Sequence, residues 1–478
     1  MKVIRNYLYN AGYQILAMIL PLITAPYVSR VLTPHGYGLN SFTNSIVFYF
    51  VLFGSLGTQL YGNREIAYQR NDREKMARSF WEIQIIKTVG ILVALGLYFV
   101  FLGLYQDNRI LMIFQSINIV AAAFDISWFF MGIEDFKRTV VRNTIVKVVS
   151  LILIFAFIKN PADLPLYILI LGLSVLVGNF TLWAPLKRIL VKVSFKDLHP
   201  LRHVRPTVAL FIPTVAIQIY VVLNKTMLGF LAGTDASGFY MSADNLVKVV
   251  LAIVTATGTV MLPHVANAFA SGKNEEVNNY LYTSFDFVSF IAVPMAFGLA
   301  GIGRHFGPYF YGRGYAPVGI AIMIEVIVIV LIGWSNAVGQ QFLLPTKQVK
   351  PYTRSVLLGA IVNIVINIPL VSIWGLYGAM LATVLSEATV TGYQLWYIKD
   401  TVELKKLFVN FPKYLIAGIL MFIPVYLLNV KLRTNVFSLV LEVLLGIVIY
   451  LIIIWVLKPT ILQTAKKLLK RRKSTEES

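Results

Sequence analysis

The sequence predicts an all-α polytopic membrane protein with about 14 transmembrane helices. Of its 478 residues, 58% are Ala, Val, Ile, Leu, Met, Phe, Trp, Tyr or Cys and only 13% are charged, against about 25% charged residues in an ordinary soluble domain. The apolar residues also form stretches of roughly 20 or more, enough to cross a hydrocarbon core about 30 Å thick. Backbone groups in lipid must be hydrogen-bonded internally, so the spans are expected to be helices.

The predicted spans follow one another with short connections and leave little chain for a soluble domain. They lie near residues 6–32, 38–62, 78–104, 109–131, 139–158, 163–190, 206–233, 236–262, 280–304, 316–342, 351–372, 376–398, 409–430 and 434–457. The first stretch is too long for a signal peptide, and no small-residue cleavage site follows it. It is therefore expected to remain as a span.

The net charge of +20 is distributed as in a membrane protein rather than a nucleic-acid-binding one. With the N-terminus inside, 31 of the 42 Lys and Arg residues fall at the N-terminus, in even-numbered loops or in the tail, 7 fall at the opposite surface and 4 within spans. This bias predicts that both termini are cytoplasmic. The basic tail Lys466–Lys473 is expected to fix the topology, with binding to anionic headgroups as the alternative.

No catalytic site, metal site or cofactor is expected. The chain has no cysteine, which excludes disulfides and thiol nucleophiles, and no glycine-rich phosphate loop is followed by Lys and Ser or Thr. His199 and His203 have the spacing of a helical metal pair. Pro200 disfavours helical geometry at His199, so both histidines are expected to be solvated residues of a linker.

The chain repeats itself at an offset of 201 residues. Aligned pairs are Ser41 with Ser242, Asn44 with Asn245, and Gly57–Thr58 with Gly258–Thr259. The repeat predicts two six-helix lobes related by a pseudo-two-fold along the membrane normal, followed by a helix pair, and this symmetry favours a carrier. The predicted domains are an N-lobe (1–190), a cytoplasmic linker (191–205), a C-lobe (206–400), a helix pair (401–457) and a basic tail (458–478).

Three segments carry a resemblance to a known family. They are the opening, Asn6–Asn10 with Pro21–Leu32, then Leu60–Ala67, and Asp125–Lys137 followed by Arg142–Asn143. The most specific is Trp-Phe-Phe-x-Gly-x-Glu-Asp followed by Arg-Asn. With these segments the chain resembles bacterial oligosaccharide and polysaccharide repeat-unit flippases of the Wzx type, which are related to multidrug/toxin extrusion carriers and to the peptidoglycan-precursor flippase.

The resemblance implies a flippase of the bacterial cytoplasmic membrane, working by alternating access. Its substrate would be an undecaprenyl-diphosphate-linked oligosaccharide for capsule, exopolysaccharide or O-antigen assembly. The implied partners are membrane lipids, a polysaccharide polymerase and chain-length components, with no nucleic acid, and the protein is expected to be a monomer.

Three alternatives stay open. They are a drug or organic-cation antiporter of the same fold, a lipid II flippase, and a membrane-bound polysaccharide polymerase. Cations within the spans favour an anionic substrate over a drug cation, and short outer loops disfavour a polymerase.

Ionisable residues inside spans are candidate functional groups, because charge at the bilayer centre is costly. A diphosphate requires cations, and sugars require amide and hydroxyl partners. The candidates for a central substrate cleft are Lys225, Lys248, Lys147, Arg30, Arg64, Arg142, Asn44, Asn245, Gln218 and Asn224. The candidates for ion or charge coupling are Asp125, Asp244, Glu325 and Glu387.

Two of these interpretations have plain structural alternatives. Asp244 and Lys248 lie four residues apart on one predicted helix and could neutralise each other. Lys87, a further lysine within a span, is expected to extend its ammonium group to the inner interface.

Prolines interrupt equivalent spans of the two halves. Pro21 and Pro26 lie in span one and Pro213 in span seven, and each removes a helix hydrogen bond. These prolines are expected to be hinges for alternating access, with a static bend that improves packing as the alternative.

Overall fold

The computed structural model describes residues 2–256 and 258–462. Within these ranges the side chains of 2–11, 13–15, 18, 212–214, 216, 217, 220, 258–260 and 263 are not described. The described chain contains helices and their connections, with no strand, which confirms the all-α class. It divides into two compact units, Met1–Gly238 and Phe239–Ser478. The basic tail Lys466–Lys473 lies outside the described residues.

The described ranges contain eighteen α-helices. Those that begin in the first unit are α1 (Lys2–Ser55), α2 (Thr58–Gln69), α3 (Arg73–Leu104), α4 (Arg109–Phe124), α5 (Ser127–Gly132), α6 (Phe136–Phe157), α7 (Leu164–Thr181), α8 (Leu186–Ile189), α9 (Val204–Leu231) and α10 (Thr234–Ala256). Those of the second unit are α11 (Gly258–Ala270), α12 (Asn274–Tyr311), α13 (Ala316–Glu325), α14 (Ile327–Ser335), α15 (Val349–Ile398), α16 (Leu404–Phe408), α17 (Phe411–Lys431) and α18 (Val436–Leu457). A π-helix, Asn336–Leu343, follows α14.

Within the described ranges, ten helices are long and apolar enough to cross a membrane. A bent pair, Arg313–Glu325 with Ile327–Leu343, turns through 43° and makes up to eleven. The chain is therefore a multi-pass membrane protein.

Two of these helical stretches are long enough to cross the bilayer twice. Ile19–Gln69 has 51 residues and Val349–Ile398 has 50, so each would extend roughly 75 Å at 1.5 Å per residue. Each is interrupted by a non-helical residue, Thr33 (φ 62°, ψ 169°) in the first and Gly375 (φ 51°, ψ −125°) in the second. Only glycine adopts the Gly375 conformation readily. Each stretch therefore corresponds to two of the predicted spans.

Features of the first half recur about 200 residues later, as the sequence repeat predicts. α3 begins at Arg73 and α12 at Asn274, an offset of 201. The chain turns at Thr33 (φ 62°) and again at Gly233 (φ 89°), an offset of 200. These offsets lie within one residue of the 201 that separates the aligned residue pairs.

An aromatic cluster forms the core of the first unit. Trp128, Phe129 and Phe130 are fully buried, and Phe80 stacks on Trp128 with ring centroids 5.5 Å apart. Such ring pairs contribute about 0.5–1.5 kcal/mol beyond their buried area. Gly62 of α2 lies against the indole, where a Cβ atom would come within 2.4 Å of Trp128 Cε3. The segments 60–67 and 125–137 therefore pack on each other.

In the second unit, α12 holds the C-terminal helix pair. The Asp286 carboxylate accepts hydrogen bonds from Asn410 Nδ2, at 3.1 Å to each oxygen, and from the Tyr414 hydroxyl at 2.8 Å. The Tyr450 hydroxyl donates to the Phe290 carbonyl at 3.0 Å. These contacts attach α17 and α18 to α12.

The linker between the predicted lobes is attached to α3 through Glu82. This fully buried carboxylate accepts from the His199 backbone N–H at 2.7 Å and from Arg202 Nη2 at 2.5 Å, and it lies 2.7 Å from His203 Nε2. His203 Nδ1 lies 2.6 Å from the Tyr61 hydroxyl. The prediction of a solvated His203 is wrong, because a buried carboxylate recruits it, whereas His199 is exposed.

Candidate substrate-binding site

The predicted site residues are divided between the two units. The first unit contains Arg30, Asn44, Arg64, Asp125, Arg142, Lys147, Gln218, Asn224 and Lys225. The second contains Asp244, Asn245, Lys248, Glu325 and Glu387. Helix α9 packs against α1 within the first unit, whereas the predicted C-lobe begins at residue 206.

Arg142 is the centre of a polar network on α6. Its Nη1 donates to Asn179 Oδ1 at 2.9 Å, and its Nη2 lies 3.7 Å from Asp125 Oδ1. Asn179 Nδ2 in turn donates to the Ala121 carbonyl at 2.7 Å. The guanidinium is 12% exposed, so it connects α6 to α4 and α7 while retaining limited access to an anion.

The backbone carbonyl of Asp125 also accepts a hydrogen bond from a lysine. Lys87 Nζ donates to the Asp125 carbonyl oxygen at 2.5 Å, and the Ser127 backbone N–H donates to Asp125 Oδ1 at 2.9 Å. Lys87 is only 3% exposed. The prediction that its ammonium extends to the interface is therefore wrong, because the irregular backbone between α4 and α5 offers a carbonyl acceptor within the protein.

Lys225 and Asn44 lie beside a hydrogen-bonded contact between α9 and α1. The hydroxyl of Thr226, next to Lys225, donates to Ser45 Oγ at 2.9 Å, and its oxygen lies 3.2 Å from the Tyr49 hydroxyl. Lys225 is half-buried and Asn44 is exposed. The structure therefore brings these two candidates to the same helix pair. Asn224, on the same turn as Lys225, is buried.

A row of amide side chains on α1 and α4 was not predicted as part of the site. Gln115 Nε2 donates to Asn40 Oδ1 and to Thr43 Oγ1, each at 3.2 Å. Asn118 Nδ2 donates to Gln115 Oε1 at 2.8 Å. Asn40 and Asn118 are half-buried, so they can meet hydroxyl groups. The available signal was the occurrence of several amides within apolar spans.

The remaining candidates of the first unit lie outside these contacts. Arg64 is exposed, and its guanidinium lies 5.6 Å from the centre of the Tyr61 ring. Arg30 is exposed on α1, Lys147 is half-buried on α6 and Gln218 is half-buried on α9.

The second unit contains an acid-rich group around one lysine. Lys248 Nζ lies 2.7 Å from Asp244 Oδ2, with the lysine side chain half exposed and the carboxylate 6% exposed. Glu325 is buried and Glu387 half-buried, and both are within electrostatic range of Lys248. The neutralising pair that the i,i+4 spacing allows is therefore present. Asn245 is half-buried beside it.

This acidic group is not arranged as a metal site. Among the described residues, no group of three or more His, Asp or Glu side chains could hold a metal ion. The carboxylates can instead balance the charge of a cationic group.

The predicted hinge prolines lie at helical positions of α1 and α9. In the described part of α1 the non-helical residue is Thr33, not Pro21 or Pro26. Pro21 is exposed and Pro26 is half-buried. Pro213 lies within α9, and its side chain is outside the described side chains.

Family models match most of the chain. Residues 3–269 match the family described as polysaccharide biosynthesis protein. Residues 140–449 match the family described as lipid II flippase MurJ.

Curated relatives include proteins provisionally described as O-antigen transporters. One from Escherichia coli (strain K12) is 24% identical over 405 residues, which is 83% of this chain and 96% of the relative. One from Shigella dysenteriae is 22% identical over 385 residues, which is 80% of this chain and 96% of the relative.

Solved structures share the fold. A lipid II flippase MurJ in an inward closed conformation covers 94% of this chain and 98% of its own, with a TM-score of 0.76 and 18% identity. An inward-facing multidrug resistance MATE family transporter covers 80% of this chain and 96% of its own, with a TM-score of 0.59 and 14% identity.

Proposed function

The chain belongs to the polysaccharide biosynthesis protein family, in the superfamily that also includes the lipid II flippase and MATE transporters, and from this premise we propose that it flips a lipid-linked oligosaccharide across a membrane. The substrate is an undecaprenyl diphosphate carrying an oligosaccharide repeat unit. It moves from the inner to the outer leaflet of the bacterial cytoplasmic membrane for assembly of O-antigen, capsule or exopolysaccharide.

One observation carries the proposal: most of the chain is similar to proteins described as O-antigen transporters, and its fold is that of a lipid II flippase. The relatives described as O-antigen transporters align over 96% of their length, and the MurJ structure aligns over 94% of this chain. A flippase breaks no covalent bond, so the proposed activity is transport rather than enzymatic catalysis.

Several polar residues of the first unit, in the separate contacts described above, are suited to the substrate chemistry. Lys225 and Arg142 supply cations for the diphosphate, because a charged hydrogen bond is stronger in a low-dielectric site. Asn44, with the amides Asn40 and Asn118, supplies partners for sugar hydroxyls. Both termini are proposed to be cytoplasmic, and the protein to work by alternating access and to deliver its product to a polymerase.

The acidic group of the second unit supports a second role within this function. Asp244 pairs with Lys248, and Glu325 and Glu387 lie within electrostatic range of the same lysine, so the three carboxylates outnumber the one ammonium and can balance a coupling cation. We infer that this group couples proton movement to flipping. An acid-rich cleft would also suit a drug-cation antiporter, which the polysaccharide family match disfavours.

The function is tested with the purified protein in liposomes containing undecaprenyl-diphosphate-linked oligosaccharide. The measurement is the fraction of oligosaccharide that becomes accessible to an external glycosidase. Liposomes with the protein should expose the sugar many-fold faster than protein-free liposomes. Equal rates, or transport of a drug cation instead, would contradict the proposal.

The same assay tests the proposed site. Lys225→Ala should reduce the flipping rate at least tenfold because the diphosphate loses a cation, while Lys225→Arg keeps the charge and should retain part of the rate. Lys399→Ala, at the exposed end of α15, is the matched control and should leave the rate unchanged. Asp244→Asn should reduce flipping driven by a pH gradient more than flipping without one. Wild-type rates for correctly inserted Lys225→Ala protein would exclude Lys225 from the site.

A further inference from the structure

A long apolar groove of about 1070 Å³ lies between α6 and α7 of the first unit. Its walls are the stripe of α6 from Arg138 to Phe157 and the stripe of α7 from Leu166 to Thr181. Wall side chains such as Ile145 (56% exposed) and Val177 (60% exposed) are open to the surroundings. In a membrane-spanning pair of helices these surroundings are lipid chains.

One end of the groove is basic. Lys137, Arg138 and Arg142 line it together with a single carboxylate, Asp135. Asp135 Oδ2 lies 2.5 Å from Arg138 Nε, and Arg142 makes the contacts with Asn179 and Asp125 described above. Lys137 is exposed and forms no ion pair within the part of the chain that the structure describes. Three cations against the carboxylates of Asp135 and Asp125 leave this end with a net positive charge, which attracts an anion.

The length of the groove discriminates between lipid classes. From Arg138 to Phe157 the helix rises roughly 28 Å at 1.5 Å per residue, close to the full hydrocarbon thickness of about 30 Å. The acyl chain of a phospholipid extends through one leaflet only, so it would cover about half of the groove. A single isoprenoid chain of a long polyprenol can follow it from end to end.

We propose that the α6–α7 groove binds the isoprenoid chain of a polyprenyl diphosphate, with the diphosphate at Lys137, Arg138 and Arg142. The inference deepens the proposed function, on which it rests, by assigning the lipid part of the substrate to an outer face of the first unit. The chain stays in lipid along this groove while the polar head is transferred, which avoids moving an apolar chain through water.

The test is photo-crosslinking of the full-length protein in phosphatidylethanolamine liposomes that contain undecaprenyl diphosphate. The photoreactive residue p-benzoylphenylalanine replaces Ile145, which lines the groove, or Ile152, which does not. The two isoleucines form a matched pair, since both lie on α6 and are 56% and 60% exposed. The adduct with undecaprenyl diphosphate, measured by mass spectrometry, should be several-fold more abundant at position 145.

Two further measurements test the contacts of the diphosphate and of the isoprenoid chain. Substituting the exposed cations, Lys137→Gln with Arg138→Gln, should lower the adduct of undecaprenyl diphosphate several-fold and leave that of undecaprenol unchanged. Added phosphatidylglycerol should compete weakly. Equal adducts at 145 and 152, equal competition by phosphatidylglycerol, or crosslinking of position 145 to a second copy of the chain would each overturn the proposal.

The crosslink and the flipping assay separate the two proposals. A chain that flips the oligosaccharide lipid but gives no adduct at position 145 refutes the groove and leaves the function. A chain that gives the specific adduct but does not flip refutes the function and leaves the groove.

Discussion

Glu82 shows how one buried carboxylate organises a segment that composition alone would describe as a solvated linker. It is fully buried, and three residues of the linker contact it. A charge removed from water needs several hydrogen-bond partners to offset its desolvation. His203 therefore enters the protein interior, although its sequence neighbourhood is basic and polar.

Replacing Glu82 with Gln should lower the free energy of unfolding by roughly 3 kcal/mol. The amide NH2 would face donors that need an acceptor, and Arg202 would lose its charge partner. The measurement is chemical denaturation of the detergent-solubilised protein. Glu74→Gln is the control, because Glu74 pairs with Arg78 on the surface, where its side chain is 71% exposed, and should cost about 1 kcal/mol or less. Equal losses for the two variants would show that the linker is not anchored by Glu82.

For single residues, the sequence predicts which charged side chains lie within the apolar spans. It does not predict which residues they contact. The i,i+4 rule suffices for Asp244 and Lys248, because both lie on one helix. The contacts of Lys87 with the Asp125 carbonyl and of Arg142 with Asn179 join residues 38 and 37 positions apart. Such contacts depend on how helices pack, and no local pattern contains that information.

Between elements, the most specific sequence motif turns out to be a packing motif. The Trp-Phe-Phe segment of α5 is fully buried, and the indole of Trp128 lies on Gly62 of α2. Two of the three segments that carry the family resemblance, 60–67 and 125–137, thus form one contact between α2 and α5. The side chains of Trp128, Phe129 and Phe130 are fully buried, so they contribute to packing between elements.

A methyl group at Gly62 should disrupt this contact. In Gly62→Ala the Cβ would lie 2.4 Å from Trp128 Cε3, and overpacking of this kind costs about 1–3 kcal/mol. The thermal unfolding midpoint, followed by tryptophan fluorescence, should fall. Gly96→Ala in α3 is the control, since a Cβ there meets nothing within 4 Å, and its midpoint should not fall because alanine is the better helix former. A Gly62→Ala protein as stable as the wild type would mean that the indole can move away at no cost.

Hydropathy predicts helices well and their interruptions poorly. The apolar stretches correspond to the observed helices because a bilayer requires helices of that length. The break at Gly375 was visible as a glycine between two apolar runs, whereas the break at Thr33 falls one residue before Pro34, and Pro21 and Pro26 leave α1 helical. The position of a proline alone therefore does not predict where a helix is interrupted. Flanking turns and neighbouring helices decide which backbone carbonyls of the helix lose their hydrogen-bond donor.

For the whole molecule, the distribution of charge makes the orientation in the membrane testable. Reporter tags at Lys2, Lys196 and Ser478 should be cytoplasmic, and tags at Asp107, Asp235 and Lys431 external. The expectation follows from the 31 to 7 excess of Lys and Arg on one side. The measurement is labelling of tagged proteins in intact cells by a membrane-impermeant reagent.

The tag at Lys196 is the decisive one. External labelling there would contradict the prediction that six spans precede the linker. It would also contradict the prediction that the two halves have the same orientation in the membrane. The boundary between the two compact units after Gly238 does not test this orientation. It reflects which residues pack together, not which side of the membrane they face.

The contacts of Asp286 set a condition on how the protein is made. Its hydrogen-bond donors Asn410 and Tyr414 follow it by 124 and 128 residues. At about 5–20 residues per second, a ribosome needs roughly 6–25 seconds to synthesise that interval. During this time α12 carries a carboxylate without its donors, at an insertion cost of about 2.5–3.5 kcal/mol at mid-membrane. During synthesis of the second unit, the Asp286 carboxyl must therefore be protonated, hydrated or shielded by the insertion machinery until α17 has been made.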